Sequence, residues 1–227
     1  MLNKTKITEK IKAIAKSGNH VDAEIAAYVK KTFHAAHLSC DKTGASLKQE
    51  TKTLLSGVEA GLKAAGYKSK NLIGKSAKII AEDTNKAATA SVAAAHNTAD
   101  KAKLALVKAT KNLAKSTVET VDKKEADARQ AMTTAYAELQ KKTDIAERHL
   151  ADVAMGIKEY SKSKTSTLKH STRASLMKAE HKAQRDLLKL QQKSVQHCHD
   201  LMHHSKEKLS AWLHDTKTRI GHLHHKS

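Results

Sequence analysis

Apolar residues recur along this chain with a period of eleven residues. Stepping by eleven from Ala135 meets an apolar residue each time: Ala146, Ile157, Leu168, Ala179, Leu190, Leu201, Trp212 and Leu223. Two more columns of the same period follow at steps of three and four residues, and on a helix the three columns form one stripe. Of the 62 column positions only Asp22 and Lys124 are charged, although 29% of all residues are charged. The pattern predicts an amphipathic helix along most of the chain.

The period also predicts how such helices associate. Eleven residues in three turns give about 3.67 residues per turn, which keeps the stripe on one side of a nearly straight or slightly right-handed helix. A strict seven-residue repeat would wind a left-handed supercoil instead. We therefore predict an all-α fold, an elongated helical bundle or coiled coil with eleven-residue (hendecad) repeats. The stripe residues expected to carry assembly or apolar insertion are Leu139, Leu150, Ile157, Leu168, Leu176, Leu187, Leu190, Leu201, Leu209, Trp212 and Ile220.

Turn signals divide the N-terminal part of the chain. Glycine stands beside Asn in KSGNHVD (16–22), and SCDKTGAS (39–46) contains glycine and Asp. Such clusters favour turns or helix caps. Residues 1–70 are therefore expected to form short amphipathic helices, with turns near 17–21 and 40–45.

The remaining region, residues 71–227, is rich in Ala, Lys and His, and the chain contains no proline. We predict one very long helix here, or a helical hairpin of two. For the hairpin, polar stretches such as VDKKEAD (121–127) and SKSKTST (161–167) are candidate sites of fold-back. A helix of this length needs a partner or a surface, because intrinsic propensity alone stabilises helices weakly.

The stripe has three interpretations, which the sequence leaves open. It could be the seam of a coiled coil or helical bundle, or an amphipathic helix that lies on a lipid or granule surface with Lys at its flanks. The chain could also be disordered until it binds. The middle of the stripe is small and weakly apolar, as at Thr84, Ala88, Ser91 and Ala95. Because the free energy of burial scales with apolar area, this part should hold its helices together least.

The charge balance points to anionic partners. The chain has 42 Lys and Arg against 23 Asp and Glu, a formal net charge of +19. This excess favours an anionic membrane or granule surface, or non-specific nucleic acid. Aromatic residues make up 3% of the chain. Base stacking is therefore improbable, which leaves histone-like compaction of duplex DNA as the alternative function.

A resemblance agrees with this interpretation. The segment TNKAATASVAAAHNTADKAK (84–103) lies in a proline-free chain with an eleven-residue period. In this it resembles the broad group of late-embryogenesis-abundant proteins, apolipoproteins, synucleins and bacterial phasins, although it has no KTKEGV run of the synuclein type. The resemblance extends over nearly the whole chain and implies an amphipathic helical protein that coats a surface or acts as a self-associating scaffold.

Histidines are concentrated towards the C-terminus, where ten of the fifteen follow His149. Five of them are separated by multiples of eleven residues: His170, His181, His203, His214 and His225. This line lies about 160° from the middle of the apolar stripe, so we expect it on the exposed side of the helix. Histidine gains charge in mild acid, and we hypothesise that the affinity for polyanions then rises.

Subsets of these histidines have spacings that suit a metal ion. His199 and His203 are four residues apart, which places two imidazoles on one helix face. His222 and His225 near the end of the chain are similar candidates. Two exposed ligands give weak and unselective binding, so we expect incidental rather than physiological metal binding.

No pattern of a catalytic site is present. The sequence lacks a glycine-rich phosphate loop, a nucleophile elbow and an HExxH motif, so we expect no enzyme, no cofactor and no small-molecule substrate. Cys40 and Cys198 fit no disulfide framework or zinc-ribbon spacing. The N-terminus has no secretory signal and no stretch reaches eighteen apolar residues. We expect a cytoplasmic protein, peripheral to a membrane, a granule or the nucleoid.

Overall fold

The structure, a computed structural model, describes residues 1–18, 20–67, 71–111, 118–164 and 170–224; the side chains of most residues in 106–128 and 197–224 are not part of this description. Within these residues there are six α-helices and no strand, which confirms the prediction of an all-α protein. The helices are α1 (Lys4–Ser17), α2 (Val21–Thr43), α3 (Leu47–Ala64), α4 (Leu72–Lys111), α5 (Val118–Ser163) and α6 (His170–His224).

Single residues fix the ends of the short helices. The side chain of Asn3 accepts a hydrogen bond from a backbone N–H in the first turn of α1 at 3.1 Å. Ser46 does the same at the start of α3, at 3.2 Å. Gly18 and Gly44 follow α1 and α2 with φ of 77° and 70°, the left-handed conformation that glycine adopts without steric cost. Capping of this kind satisfies backbone groups that a helix end leaves without partners.

After residue 71 the structure describes three helical segments, α4, α5 and α6. Ala99 of α4 packs with Ala135 of α5, and Lys158 of α5 lies 3.9 Å from Glu180 of α6, so consecutive segments are not parts of one straight helix. VDKKEAD (121–127) lies inside α5 and is not a fold-back site, whereas α5 ends at Ser163, within SKSKTST. A single long helix would leave its apolar stripe in water. Three shorter helices can cover the stripe with each other, which is worth about 25 cal/mol for each Å² of apolar area removed from water.

The chain divides into two compact units. Unit 1 comprises Met1–Thr89 and Ile145–Leu190, and unit 2 comprises Ala90–Asp144 and Gln191–Ser227. The core of unit 1 is built from large apolar side chains of all six helices, including Ile7, Ile11, Ile25, Phe33, Leu54, Leu55, Val58, Leu72, Ile80, Val153, Ile157, Tyr160 and Leu176. Unit 1 is therefore a helical bundle with a continuous core.

Glycines allow close contact between α1 and α3 in unit 1. A Cβ atom on Gly57 would lie 2.6 Å from Ile7 Cγ2, and one on Gly61 would lie 2.6 Å from Ile11 Cβ. The two glycines are four residues apart and share one face of α3. Any larger residue there would push α1 away from α3.

Tyr160 carries one polar atom into this core. Its hydroxyl donates to Glu59 Oε2 at 3.1 Å, and Lys164 Nζ lies 3.1 Å from the same oxygen. Burial, reinforced by the neighbouring Glu59 carboxylate, raises the pKa of Tyr160 above its ordinary value. The phenol therefore acts as a permanent hydrogen-bond donor that ties α5 to α3.

The described core of unit 2 is smaller. Ala95 and Ala99 of α4 pack with Ala135 and Leu139 of α5, and Ala102 lies partly buried beside them. Alanine buries much less apolar area than leucine or isoleucine, so each contact contributes less free energy.

The predicted stripe residues of α5 and α6 occupy mostly internal positions. Leu139, Leu150, Ile157 and Leu176 are fully buried, and Leu190 is 7% exposed. Leu187 is half-buried. Leu168 lies outside the described residues, and so do the side chains of Leu201, Leu209, Trp212 and Ile220. The hendecad coiled coil itself stays a prediction. Over the residues described, no helix has a stretch apolar enough to traverse a lipid bilayer.

Leu190 allows a direct test of the stripe. We expect Leu190→Asp to lower the free energy of unfolding by about 3 kcal/mol or more, because it places a carboxylate in a buried apolar position. The neighbouring Lys189 is exposed, and Lys189→Glu, the matched control, should change this free energy by less than about 0.5 kcal/mol. Urea unfolding followed by circular dichroism measures both. Equal losses in the two variants would contradict the role of the stripe.

Candidate functional site

The first candidate site is a groove in unit 1 between α4 and α6. The two helices touch at Gly74 and Ser175, where a Cβ atom on Gly74 would lie 2.4 Å from Ser175 Cβ. Small residues at this point bring the two backbones close together. Longer side chains on either side of the contact form the walls of an open groove of about 530 Å³.

The walls of this groove, named the basic groove below, are cationic. The basic side chains are Lys75 and Lys78 from α4 and Lys178, Lys182 and Arg185 from α6. Asn71, Gly74, Ser175 and Ala179 complete the lining, which includes no acidic residue. Five cations on two adjacent helices create a positive potential that attracts phosphate or carboxylate groups.

Two carboxylates beside the groove neutralise part of this charge. Lys75 Nζ lies 2.6 Å from Asp22, and Lys182 Nζ lies 2.8 Å from Glu82. Lys78 lies 3.9 Å from the same Glu82 oxygen. The hydrogen bond from Lys182 is the main reason that the pKa of Glu82 is lowered from its ordinary value. Five cations against two carboxylates leave an excess of three positive charges at the groove.

A second, shallow groove continues the cationic surface along α6. Its lining consists of Lys178, His181, Gln184, Arg185 and Leu188. Lys178 and Arg185 belong to both grooves, so they form the ridge between them. His181 is one of the exposed histidines that the sequence singles out.

The second candidate site is a cluster of His37 and Asp41 from α2 with His149 from α5. Nε2 of His37 and Nδ1 of His149 share a hydrogen bond of 2.8 Å, and the rings meet edge to face at 74°. Asp41 Oδ1 lies 3.5 Å from the other nitrogen of His149, Nε2. His37 is 5% and His149 3% exposed, whereas the Asp41 side chain is 42% exposed and forms the solvent side of the cluster.

Burial keeps both histidines neutral. It is the main cause that lowers the pKa of His37, and Asp41 opposes it. It also lowers the pKa of His149, which the neighbouring His37 lowers further. Within the described part of the chain, Nε2 of His149 is buried without a hydrogen-bond partner. A neutral imidazole has one nitrogen that carries no proton, and that nitrogen can bind either a proton or a metal ion.

The histidines that the sequence predicts to be exposed lie apart from this cluster. His170, His181, His203 and His214 are exposed, and His225 lies outside the described residues. The structure therefore brings none of the four described members into a buried site.

The predicted metal candidates are likewise on the surface. The rings of His199 and His203 stack at 5.9 Å, with side chains 70% and 63% exposed. His203 Nδ1 lies 3.2 Å from Glu207. The side chain of His222, like His225, lies outside the described residues.

Sequence inspection missed the buried cluster. The signal that could have found its first half is the spacing of His37 and Asp41, four residues apart and so on one face of α2. His149 is 112 residues from His37 in the chain. Its approach depends on how α5 packs against α2, which local patterns do not encode.

The chain matches no protein-family model, no curated protein and no solved structure.

The buried histidines predict that acid destabilises unit 1. Their pKa is lower in the folded than in the unfolded chain, so the unfolded chain binds more protons as the pH falls below about 6.5. Stability is therefore full above this pH and is lost as the pH falls towards the folded pKa. Each extra proton bound on unfolding makes the slope about 1.4 kcal/mol per pH unit.

Urea unfolding at several pH values between about 7.5 and 5.5, in a buffer with a metal chelator, measures this slope. We expect His149→Gln to reduce the pH dependence. The matched control is His214→Gln, because His214 is exposed, and this variant should retain the slope of the unmodified chain. A slope that is unchanged in His149→Gln would show that the buried pair does not cause it.

Proposed function

We propose that this protein is a non-enzymatic, self-associating helical scaffold or coat protein whose basic exterior binds an anionic membrane or granule surface. The observation that carries the proposal is the basic groove, in which Lys and Arg from α4 and α6 stand together on one compact unit. The net charge of +19 extends the same preference over the whole chain.

The magnitude of such binding is set by the number of cations that reach the surface together. A Lys or Arg near an anionic leaflet contributes about 1 kcal/mol. A lysine that is isolated on the surface contributes to binding by itself. In the basic groove, by contrast, the contact of Gly74 with Ser175 brings five basic side chains together, so that they can bind the same surface at once. The arrangement favours cooperative contact with several phosphate groups.

Charge rather than apolar insertion is the favoured mode of contact. The stripe residues Leu150, Ile157 and Leu176 have no exposed area. Their insertion into lipid would require unit 1 to open and lose its core. Leu188, 57% exposed and next to Arg185 in the second groove, is an apolar side chain placed to enter a headgroup layer without such opening.

Self-association is part of the proposal and rests on the sequence. The apolar columns continue beyond unit 1 through Leu201, Leu209, Trp212 and Ile220. Continued burial of these columns between copies of the chain would assemble the scaffold. Sedimentation velocity at rising protein concentration measures this association.

Compaction of duplex DNA is the second candidate function. The observation in its favour is that the basic side chains of the groove lie at the surface, and non-specific DNA binding requires only such side chains and no unpacking of the core. The two functions differ in their ligand, so a comparison of vesicles and duplex separates them.

Charge reversal in the groove tests the proposed function. Lys178 and Arg185 line both grooves, and the doubly substituted Lys178→Glu, Arg185→Glu chain should bind phosphatidylserine-containing vesicles about 30-fold more weakly or worse, since two contributions of about 1 kcal/mol are lost. The control is Lys30→Glu, Lys31→Glu, which makes the same change of net charge at exposed positions of α2. Co-sedimentation with vesicles at fixed ionic strength measures both.

Four outcomes are informative. A much larger loss in the groove variant than in the control supports the groove as the binding surface. Equal losses would show that net charge alone acts, and binding to phosphatidylcholine vesicles as strong as to anionic ones would contradict the proposal. Strong binding to duplex instead, with a salt slope that falls by about 2 in the groove variant, would favour DNA compaction.

A further inference from the structure

The buried cluster of His37, Asp41 and His149 has the composition of a metal centre. His37 and Asp41 are four residues apart, so α2 presents an imidazole and a carboxylate on one face. His149 meets them from α5. One ligand-type atom from each residue lies within 4.8 Å of the other two.

We infer that one nitrogen of His37, one nitrogen of His149 and one carboxylate oxygen of Asp41 bind a divalent transition-metal ion such as Zn²⁺. Two imidazoles and a carboxylate are a donor set that zinc and related ions prefer. Three protein ligands leave a coordination position for water on the side where Asp41 is exposed.

The cluster must contract before it can hold an ion. Zinc lies about 2.0–2.2 Å from N and O ligands in a tetrahedron, so that neighbouring ligand atoms are about 3.3 Å apart. In the cluster His37 Nε2 is 2.8 Å from Nδ1 of His149, whereas Asp41 Oδ1 is 3.5 Å from the other nitrogen of His149, Nε2. One ion binds only one nitrogen of an imidazole, so the set that would hold it is one atom from each residue, all within 4.8 Å of one another. The ligand that must move most is Asp41, whose side chain is 42% exposed and therefore free to change rotamer.

The unpaired nitrogen is a second and independent indication. His149 Nε2 is buried and makes no hydrogen bond within the described residues. An unsatisfied polar atom in a protein interior costs free energy and calls for a ligand. Burial lowers the pKa of both imidazoles, so each ring has one nitrogen without a proton near neutral pH, as metal binding requires, and an ion would replace the hydrogen bond between the rings.

Nearby charges favour a cation. The acidic groups that act on the two rings are Asp41 from α2, Asp83 from α4 and Asp152 from α5. The groups of positive or titratable character are Arg148 from α5 and His34 from α2. Three carboxylates against one fixed cation make this pocket attractive to a metal ion although the protein as a whole is basic.

Titration of the full-length, chelator-treated protein with Co²⁺ tests this inference, since visible d–d absorption reports ordered coordination by imidazole and carboxylate. We expect one equivalent of Co²⁺ to bind tightly to each chain and to be displaced by Zn²⁺; this ion is called the tight equivalent below. Asp41→Asn should weaken it about tenfold or more while circular dichroism stays unchanged, because Asp41 lies at the surface of the cluster. His149→Gln should abolish it. The control is the doubly substituted His199→Gln, His203→Gln, which removes the exposed histidine pair and should retain the tight equivalent.

The opposite pattern would overturn the inference. If the tight equivalent survives Asp41→Asn and His149→Gln but is lost with His199→Gln, His203→Gln, the ion binds to the exposed helix surface. The absence of any tight equivalent in the unmodified chain would overturn it as well. Imidazole ¹⁵N spectra give a readout independent of absorption, because only the resonances of His37 and His149 should shift at the first equivalent.

Discussion

Burial of a narrow apolar stripe between helices of the same chain is the interaction on which unit 1 depends. Each fully buried side chain such as Leu150, Ile157 or Leu176 contributes about 1.5–3 kcal/mol relative to exposure. Ion pairs at the surface, among them Lys75 with Asp22, contribute about 0–1 kcal/mol. The charged surface residues therefore do not determine how the helices pack. Because replacing one of them changes the free energy of unfolding little, these residues can serve another purpose.

A narrow stripe has a geometric consequence. Helices with few large side chains bury enough area only if their backbones come close, and glycines provide this at Gly61 against α1 and at Gly74 against α6. Close contact at a small residue forces the long side chains beside it to project outward. The basic groove arises in this way, since Lys75 and Lys178 flank the contact of Gly74 with Ser175. The packing that stabilises unit 1 thus also brings cations of two helices together.

The sequence predicted what depends on local geometry and missed what depends on the path of the chain. The all-helical fold and the burial of apolar positions such as Leu150 follow from apolar residues spaced three and four apart, because the geometry of a single helix places such residues on one face. The packing of α4 against α5 does not, because the sequence between Lys111 and Val118 contains no proline or glycine that would predict it. Likewise, the conspicuous C-terminal histidines are exposed where described, and the pair that is buried, His37 and His149, is joined only by helix packing.

The two candidate sites of unit 1 have opposite charge, and α4 contributes to both. Its Lys75 and Lys78 line the basic groove, whereas its Asp83 acts on His37 in the buried cluster. Screening by salt limits the interaction of exposed charges to about 8–10 Å, so each site is governed by its own neighbours rather than by the net charge of the chain. Screening is weaker for buried groups, which is why a few carboxylates around two buried imidazoles outweigh a distant excess of lysine. A strongly basic protein can in this way bind an anionic surface with one part of a unit and attract a cation with another.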